Sequence, residues 1–139
     1  LSELDAPAGR ADARAHARAL RVHAHIGLGS ALSDLGEPGE AETHLRAAID
    51  AGAESASLHA ALGLMRVKQG KLAEAAEDLA EARKLDPRLW RVHYLDGLLA
   101  EADKDWPRAR AAYTRALDAS PALATVRERL QFVQTQETP

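Results

Sequence analysis

The sequence contains no cysteine. That excludes disulfides, thiolate nucleophiles and Cys-ligated zinc, but cysteine-free chains occur in cytoplasm and periplasm alike. Aromatic residues are scarce at 4%, while apolar residues reach 46%. A core of that composition is built from Ala and Leu, which suits closely packed helices better than a sandwich of β-branched strands. An excess of one charge sign is also lacking: a net charge of −3 over 139 residues provides no basic field for nucleic acid or anionic lipid. No apolar run approaches the roughly 18 residues of a membrane helix, and no signal peptide is visible. The expectation is a soluble chain without membrane insertion, with the cytoplasm favoured over the periplasm. The first residue is Leu1 rather than Met, which reads as a piece of something longer or a processed product. Arg far outnumbers Lys and Ala is abundant, a habit of GC-rich bacterial genomes.

Catalytic signatures are missing as well. There is no GxxxxGK[ST] or GxGxxG nucleotide loop, no GxSxG elbow and no HExxH pair. The GLG at 27–29 lies in a helical pattern with no strand before it. His25, His59 and His93 share one repeat position, but a common metal needs ligand nitrogens about 2.0–2.1 Å from one ion, and equivalent sites on stacked helices stand about 8–10 Å apart. These imidazoles read as half-buried fillers between paired helices. His23 and His25 diverge on a helix, and His16 and His44 read as surface residues. Glu77 and Glu81 fall on an outer helical face without a pocket. No enzyme activity, cofactor or metal site is expected.

What is present is a repeat. Gly29, Gly63 and Gly97 recur at a spacing of 34 residues. Ala41, Ala75 and Ala109 keep step, as do Leu45, Leu79 and Tyr113, then Ala48, Ala82 and Ala116. Ala53, Pro87 and Pro121 close the units, and Leu28 and Leu62 agree with Asp96 as the exception. The clearest unit runs from Leu58 to Pro87, two amphipathic helices around a turn at Gly70. Its second helix places Leu72, Ala75 or Ala76, Leu79 and Ala82 on one stripe, with Glu74, Glu77, Asp78 and Glu81 facing away. Its first helix is apolar on two faces: Leu58, Ala61, Leu62 and Met65 on one, Ala60, Leu64 and Val67 on the other. A helix with two apolar faces is covered twice or offers one face to a ligand.

From Arg10 to about Leu35 no proline intervenes, so one long helix or two abutting ones are expected, ending near Gly36. Residues 1–9 read as a loose lead-in. Arg10, Arg14, Arg18 and Arg21 form a stripe that reads either as an anion-binding strip or as a solvated capping face. Asp105 before Trp106-Pro107 marks a capped helix start. Pro121 is expected to open a last helix to about Gln134, followed by a frayed tail.

With its 34-residue period, Leu-Gly at 28–29 and 62–63, and second helices AETHLRAAI, AAEDLAEARKL and ARAAYTRAL, the chain resembles the tetratricopeptide repeat family over about residues 22–123. Two departures stand out. The first large position holds His25, His59 and His93, and a later bulky position holds Leu32, Arg66 and Ala100, which thins the packing there. The resemblance implies an all-α solenoid of three helix-turn-helix repeats in a right-handed superhelix. The expected division is a lead-in and helical extension over 1–21, repeats over 22–55, 56–89 and 90–123, and a capping helix and tail over 124–139.

The resemblance further implies a non-enzymatic scaffold that holds a peptide or helix of a partner protein in its concave groove. Carried over residue by residue, the groove positions are His23, Ile26 and Ser30, then Ala60, Leu64, Val67 and Lys68, then Arg91, Tyr94, Leu98 and Glu101, with Ser33, Asp34, Ser57 and Ala102 at flanking positions. Ile26, Leu64, Val67, Tyr94 and Leu98 make the centre apolar, which suits an apolar or amphipathic segment. The carboxylate clamp that grips Hsp70 or Hsp90 tails needs Lys and Asn where this chain has Ile26, Ser30, Ala61 and Leu95. The other expectation is a self-associating module, a homo-oligomer formed through the groove or the end helices.

Overall fold

A computed structural model describes residues 7–138, and every regular element among them is helical: α1 (Pro7–Asp34), α2 (Pro38–Asp50), α3 (Ala56–Lys68), α4 (Leu72–Leu85), α5 (Trp90–Ala102), α6 (Trp106–Ala119) and α7 (Ala124–Glu137). The architecture is an all-α helical repeat. The chain divides between Glu54 and Ser55 into two compact units, the first holding α1 and α2, the second α3 to α7.

Two helices, α3 and α6, start on a side-chain cap. The Ser55 hydroxyl accepts from the Leu58 N–H at 3.3 Å, and Asp105 Oδ1 accepts from the Arg108 N–H at 3.2 Å, satisfying donors that the first turn leaves free. Pro38 and Pro107 sit in first turns, where the missing N–H costs nothing. The turns inside the hairpins share one device. Gly36 and Gly70 both adopt φ 77°, a left-handed conformation that costs glycine little. One repeat further on, Lys104 takes the same role at φ 56° and is the non-glycine residue with positive φ among those described.

In the first unit α1 and α2 pack as an antiparallel hairpin. Ala41, Leu45 and Ala48 are buried, and a Cβ on Gly29 would meet Leu45 Cδ2 at 3.0 Å. In the second unit α3–α4 and α5–α6 form hairpins, α3 packs on α5, α4 on α5, and α7 closes on α6. One cluster joins Ala60, Ala75, Leu79, Ala82, Val92, Leu95 and Leu99. A second joins Ala100, Ala109, Tyr113, Ala116, Val126 and Val133. The repeating glycines mark close approach: a Cβ on Gly63 would stand 2.5 Å from Leu95 Cδ2, and one on Gly97 would enter the Tyr113 ring.

Several expectations need correction. Pro7, Ala8 and Gly9 belong to α1 rather than to a loose lead-in; residues 1–6 lie outside the described residues. Proline's fixed φ suits a helix's first turn, so it starts this one. Pro121 does not open the last helix but sits in the turn before it, and Thr135, Gln136 and Glu137 remain helical instead of fraying; Pro139 lies outside the described residues. Asp78 does not face away with the outer glutamates: it is 5% exposed. Its partner is Arg66, whose Nη1 donates to both carboxylate oxygens at 2.8 and 2.9 Å. The position expected to thin the packing therefore joins α3 to α4 through a largely buried ion pair, with Glu74 3.4 Å away. Leu72, expected on the inner stripe, is 38% exposed.

Candidate functional site

The expected groove positions of the second unit occupy equivalent places on the neighbouring helices α3 and α5. The Arg91 guanidinium, in the first turn of α5, donates to the Ser57 hydroxyl at 2.6 Å and lies 4.9 Å from the centre of the Trp90 ring. This contact spans one whole repeat and ties the starts of the two helices together. Trp90 is followed at 6.1 Å by Tyr94, and Tyr94 at 6.1 Å by Tyr113, distances at which tilted rings attract.

Below this aromatic run the side chains are half-buried. Leu64 and Val67 on α3 pack against the α4–α5 core, while Tyr94 and Leu98 on α5 pack against the α6–α7 core. Burial pushes the Tyr94 phenol above its ordinary range, so it stays neutral. Lys68 stands exposed at the C-terminal end of α3. Two of the expected positions are otherwise engaged. Ala60 is 0% exposed and has no surface to offer a ligand. Glu101 turns inward: its carboxylate accepts from the Tyr113 hydroxyl and from both Nε and Nη2 of Arg129, with Nε at 3.0 Å.

That triad fastens α5, α6 and α7 together. Burial first, then the hydrogen bond to Glu101, raises the Tyr113 pKa well above the usual phenol range. The hydrogen bond to Glu101 raises that of Arg129 and holds it charged. The triad had a legible signal. Glu101 stands in the column of Ser33 and Val67, and Arg129 one repeat beyond Ala61 and Leu95: opposite charges in otherwise small or apolar columns. The same holds for Asp96, which breaks the Leu28–Leu62 column and accepts from Arg108 at 2.6 and 3.1 Å.

In the first unit His23, Ile26 and Ser30 lie exposed on α1. His25 and His44, the latter expected at the surface, meet instead: their Nδ1 atoms are 3.0 Å apart, with ring centres at 5.3 Å. Each repeat's histidine is half-buried. The His59 Nε2 is buried with no hydrogen-bond partner among the described residues. The His93 pKa is lowered by burial and then by Arg115, against an opposing pull from Asp96. No cluster of three or more potential metal ligands occurs among the described residues. An open hollow of about 540 Å³ beside α7 is lined by Gln131, Gln134, Thr135 and Thr138, none of them titratable. No helix among the described residues is long and apolar enough to cross a membrane.

A family model described as Tetratricopeptide repeat matches residues 26–77 and again 60–124. No curated protein sequence matches the chain. Among solved structures it is similar to the first TPR of Spaghetti (RPAP3) bound to the HSP90 peptide SRMEEVD, with TM-score 0.75 and 18% identity over 86% of this chain and 98% of that one. It is similar to the Arabidopsis OM64 TPR domain, with TM-score 0.71 and 16% identity over 82% and 94%. It is also similar to Pseudomonas aeruginosa pilF, with TM-score 0.72 and 27% identity over 87% of this chain and 55% of that one.

Proposed function

As the chain belongs to the tetratricopeptide repeat family, we propose that it is a non-enzymatic protein-binding scaffold that holds an apolar or amphipathic partner segment on the α3–α5 face. The repeat units are proposed to run over 22–55, 56–89 and 90–123. One observation carries the reading of the ligand. Two polar groups of this face are engaged by neighbours within the protein: Arg91 donates to Ser57, and Glu101 accepts from Tyr113 and Arg129. Between them the face offers a ligand the partly exposed apolar surface of Leu64, Val67, Tyr94 and Leu98, with Lys68 at its edge. Desolvating that surface stabilises a complex without breaking a hydrogen bond.

A solved relative of the fold binds the acidic peptide SRMEEVD. This chain is expected to bind such a tail poorly, because Leu95 is fully buried and Arg91 is committed to Ser57. Trp90, at one end of the face, is a built-in fluorescent reporter. An amphipathic helical peptide should shift its emission, SRMEEVD should not, and Leu64→Ser should weaken the first response by about tenfold, about 1.4 kcal/mol. Circular dichroism on the same variant separates loss of the face from loss of the fold. Equal binding of both peptides, or a folded Leu64→Ser protein that binds like wild type, would refute the assignment.

A further inference from the structure

α1 carries a face that its own unit leaves bare. At 1.5 Å per residue α1 is about 42 Å long and α2 about 20 Å. The side of α1 that holds His25 and Gly29 packs on α2. On another side, a row stepping alternately by three and four residues runs from Arg10 to Asp34, and every position of it is exposed. Leu20, in the middle, is 58% exposed, and apart from its own stretch of helix no described atom lies within 4 Å of where a Gly27 Cβ would stand. Leu28 beside the row is 48% exposed.

The second unit shows what such a face does when it has a partner. Val92 and Leu99 on α5, two repeats beyond Ala24 and Ala31, are 0% and 6% exposed because the α3–α4 hairpin packs on them. The corresponding surface of α1 has no such cover.

We infer that this face binds the same face of a second copy of the chain, with the two α1 helices antiparallel. A 3-4 spaced row is the pattern of a coiled-coil seam. Antiparallel pairing about a two-fold axis between Leu20 and Ala24 sets Leu20 against Ala24, Ala17 against Gly27 and Arg10 against Asp34. A large side chain meets a small one at the centre, small residues on either side let the backbones approach closely, and opposite charges meet at both ends. Parallel pairing would instead stack Arg10 on Arg10 and Asp34 on Asp34, so charge selects the antiparallel register. The contact is isologous and closes at two chains. Arg21 faces its own mate near the axis, on the rim, which holds the association weak.

Sedimentation equilibrium of the whole chain, from micromolar to several hundred micromolar, tests this. A monomer–dimer equilibrium is expected. Leu20→Glu and Arg10→Asp should each move its midpoint to about tenfold higher concentration, and Arg10→Asp combined with Asp34→Arg should bring it back. These side chains are exposed, so helicity should not change. A monomer throughout overturns the inference. So does a dimer that is indifferent to Leu20→Glu, or one that the double charge exchange fails to restore.

Discussion

Lys104 is held at φ 56° in a turn whose two counterparts are Gly36 and Gly70. A left-handed conformation costs an L-residue about 1–2 kcal/mol, while glycine loses about 0.5–1 kcal/mol in unfolded-chain entropy. Lys104→Gly should therefore stabilise the second unit by about 0.5–1 kcal/mol, seen as a higher denaturation midpoint with an unchanged slope. A second residue-scale effect concerns Tyr113. Its folded-state pKa is raised, so the stability it contributes is intact below the unfolded phenol value near 10 and is lost as pH rises above it. Thermal melts of wild type should fall steeply beyond about pH 10, and Tyr113→Phe should flatten that fall while costing stability at neutral pH. A wild-type melting temperature that is flat through that range would contradict the buried phenol.

At the scale of the hairpin, three polar contacts share a sequence separation. Arg66 meets Asp78, Asp96 meets Arg108 and Glu101 meets Tyr113, each 12 residues apart across a helix-turn-helix. Removing one member of a largely buried pair takes a charge-assisted hydrogen bond from the other, at up to about 3–5 kcal/mol. Arg66→Met should cost about 3 kcal/mol, and adding Asp78→Leu should recover much of it. Urea unfolding of the two variants checks this: equal losses would mean that the pair is a bystander. This is also where sequence and structure part. The periodic small residues were legible because close helix approach admits little but Gly and Ala at those columns. The polar exceptions were legible only as misfits, because a single column does not reveal that a second misfit lies opposite it. Hence Arg66 read as a packing defect, Asp78 as solvent-facing and His44 as a surface residue. Of the groove positions, sequence spacing places Leu64, Val67, Tyr94 and Leu98 on a common face. It does not reveal that Ala60 is sealed or that Glu101 turns to Tyr113 and Arg129, since both depend on which neighbours a helix acquires.

For the whole molecule, the unequal cores set an order of opening. The largest fully buried side chains, Tyr113, Leu95, Val92, Val126 and Val133, all lie in the second unit. The first unit's core is made mainly of Ala41, Leu45 and Ala48. Repeat arrays open unit by unit because their contacts are between neighbours. Amide hydrogen exchange at low protein concentration should show α1 and α2 exchanging well before α5 and α6. A single protection level across all helices would show instead that the chain opens as one body. Raising the concentration should slow exchange in α1 selectively if two copies pair through it.

The Arg66–Asp78 and Asp96–Arg108 bridges occupy different columns of the repeat, although both span a hairpin. A hairpin therefore carries an address. Exchanging α4 for α6 would set Ala112 opposite Arg66, and the reverse exchange would leave Asp96 facing Glu74 in place of Arg108. Repeats that look alike by their glycines and alanines are thus not interchangeable parts. Recombination that shuffles single helices within this chain would strand charge in the interior, whereas duplication of the whole α3–α4 hairpin would carry Arg66 and Asp78 together; a copy of α5–α6 alone would part Glu101 from Arg129 on α7. The Arg66–Asp78 bridge permits such an array to grow by complete hairpins, while the Glu101–Arg129 bridge requires that the last hairpin keep its place beside α7.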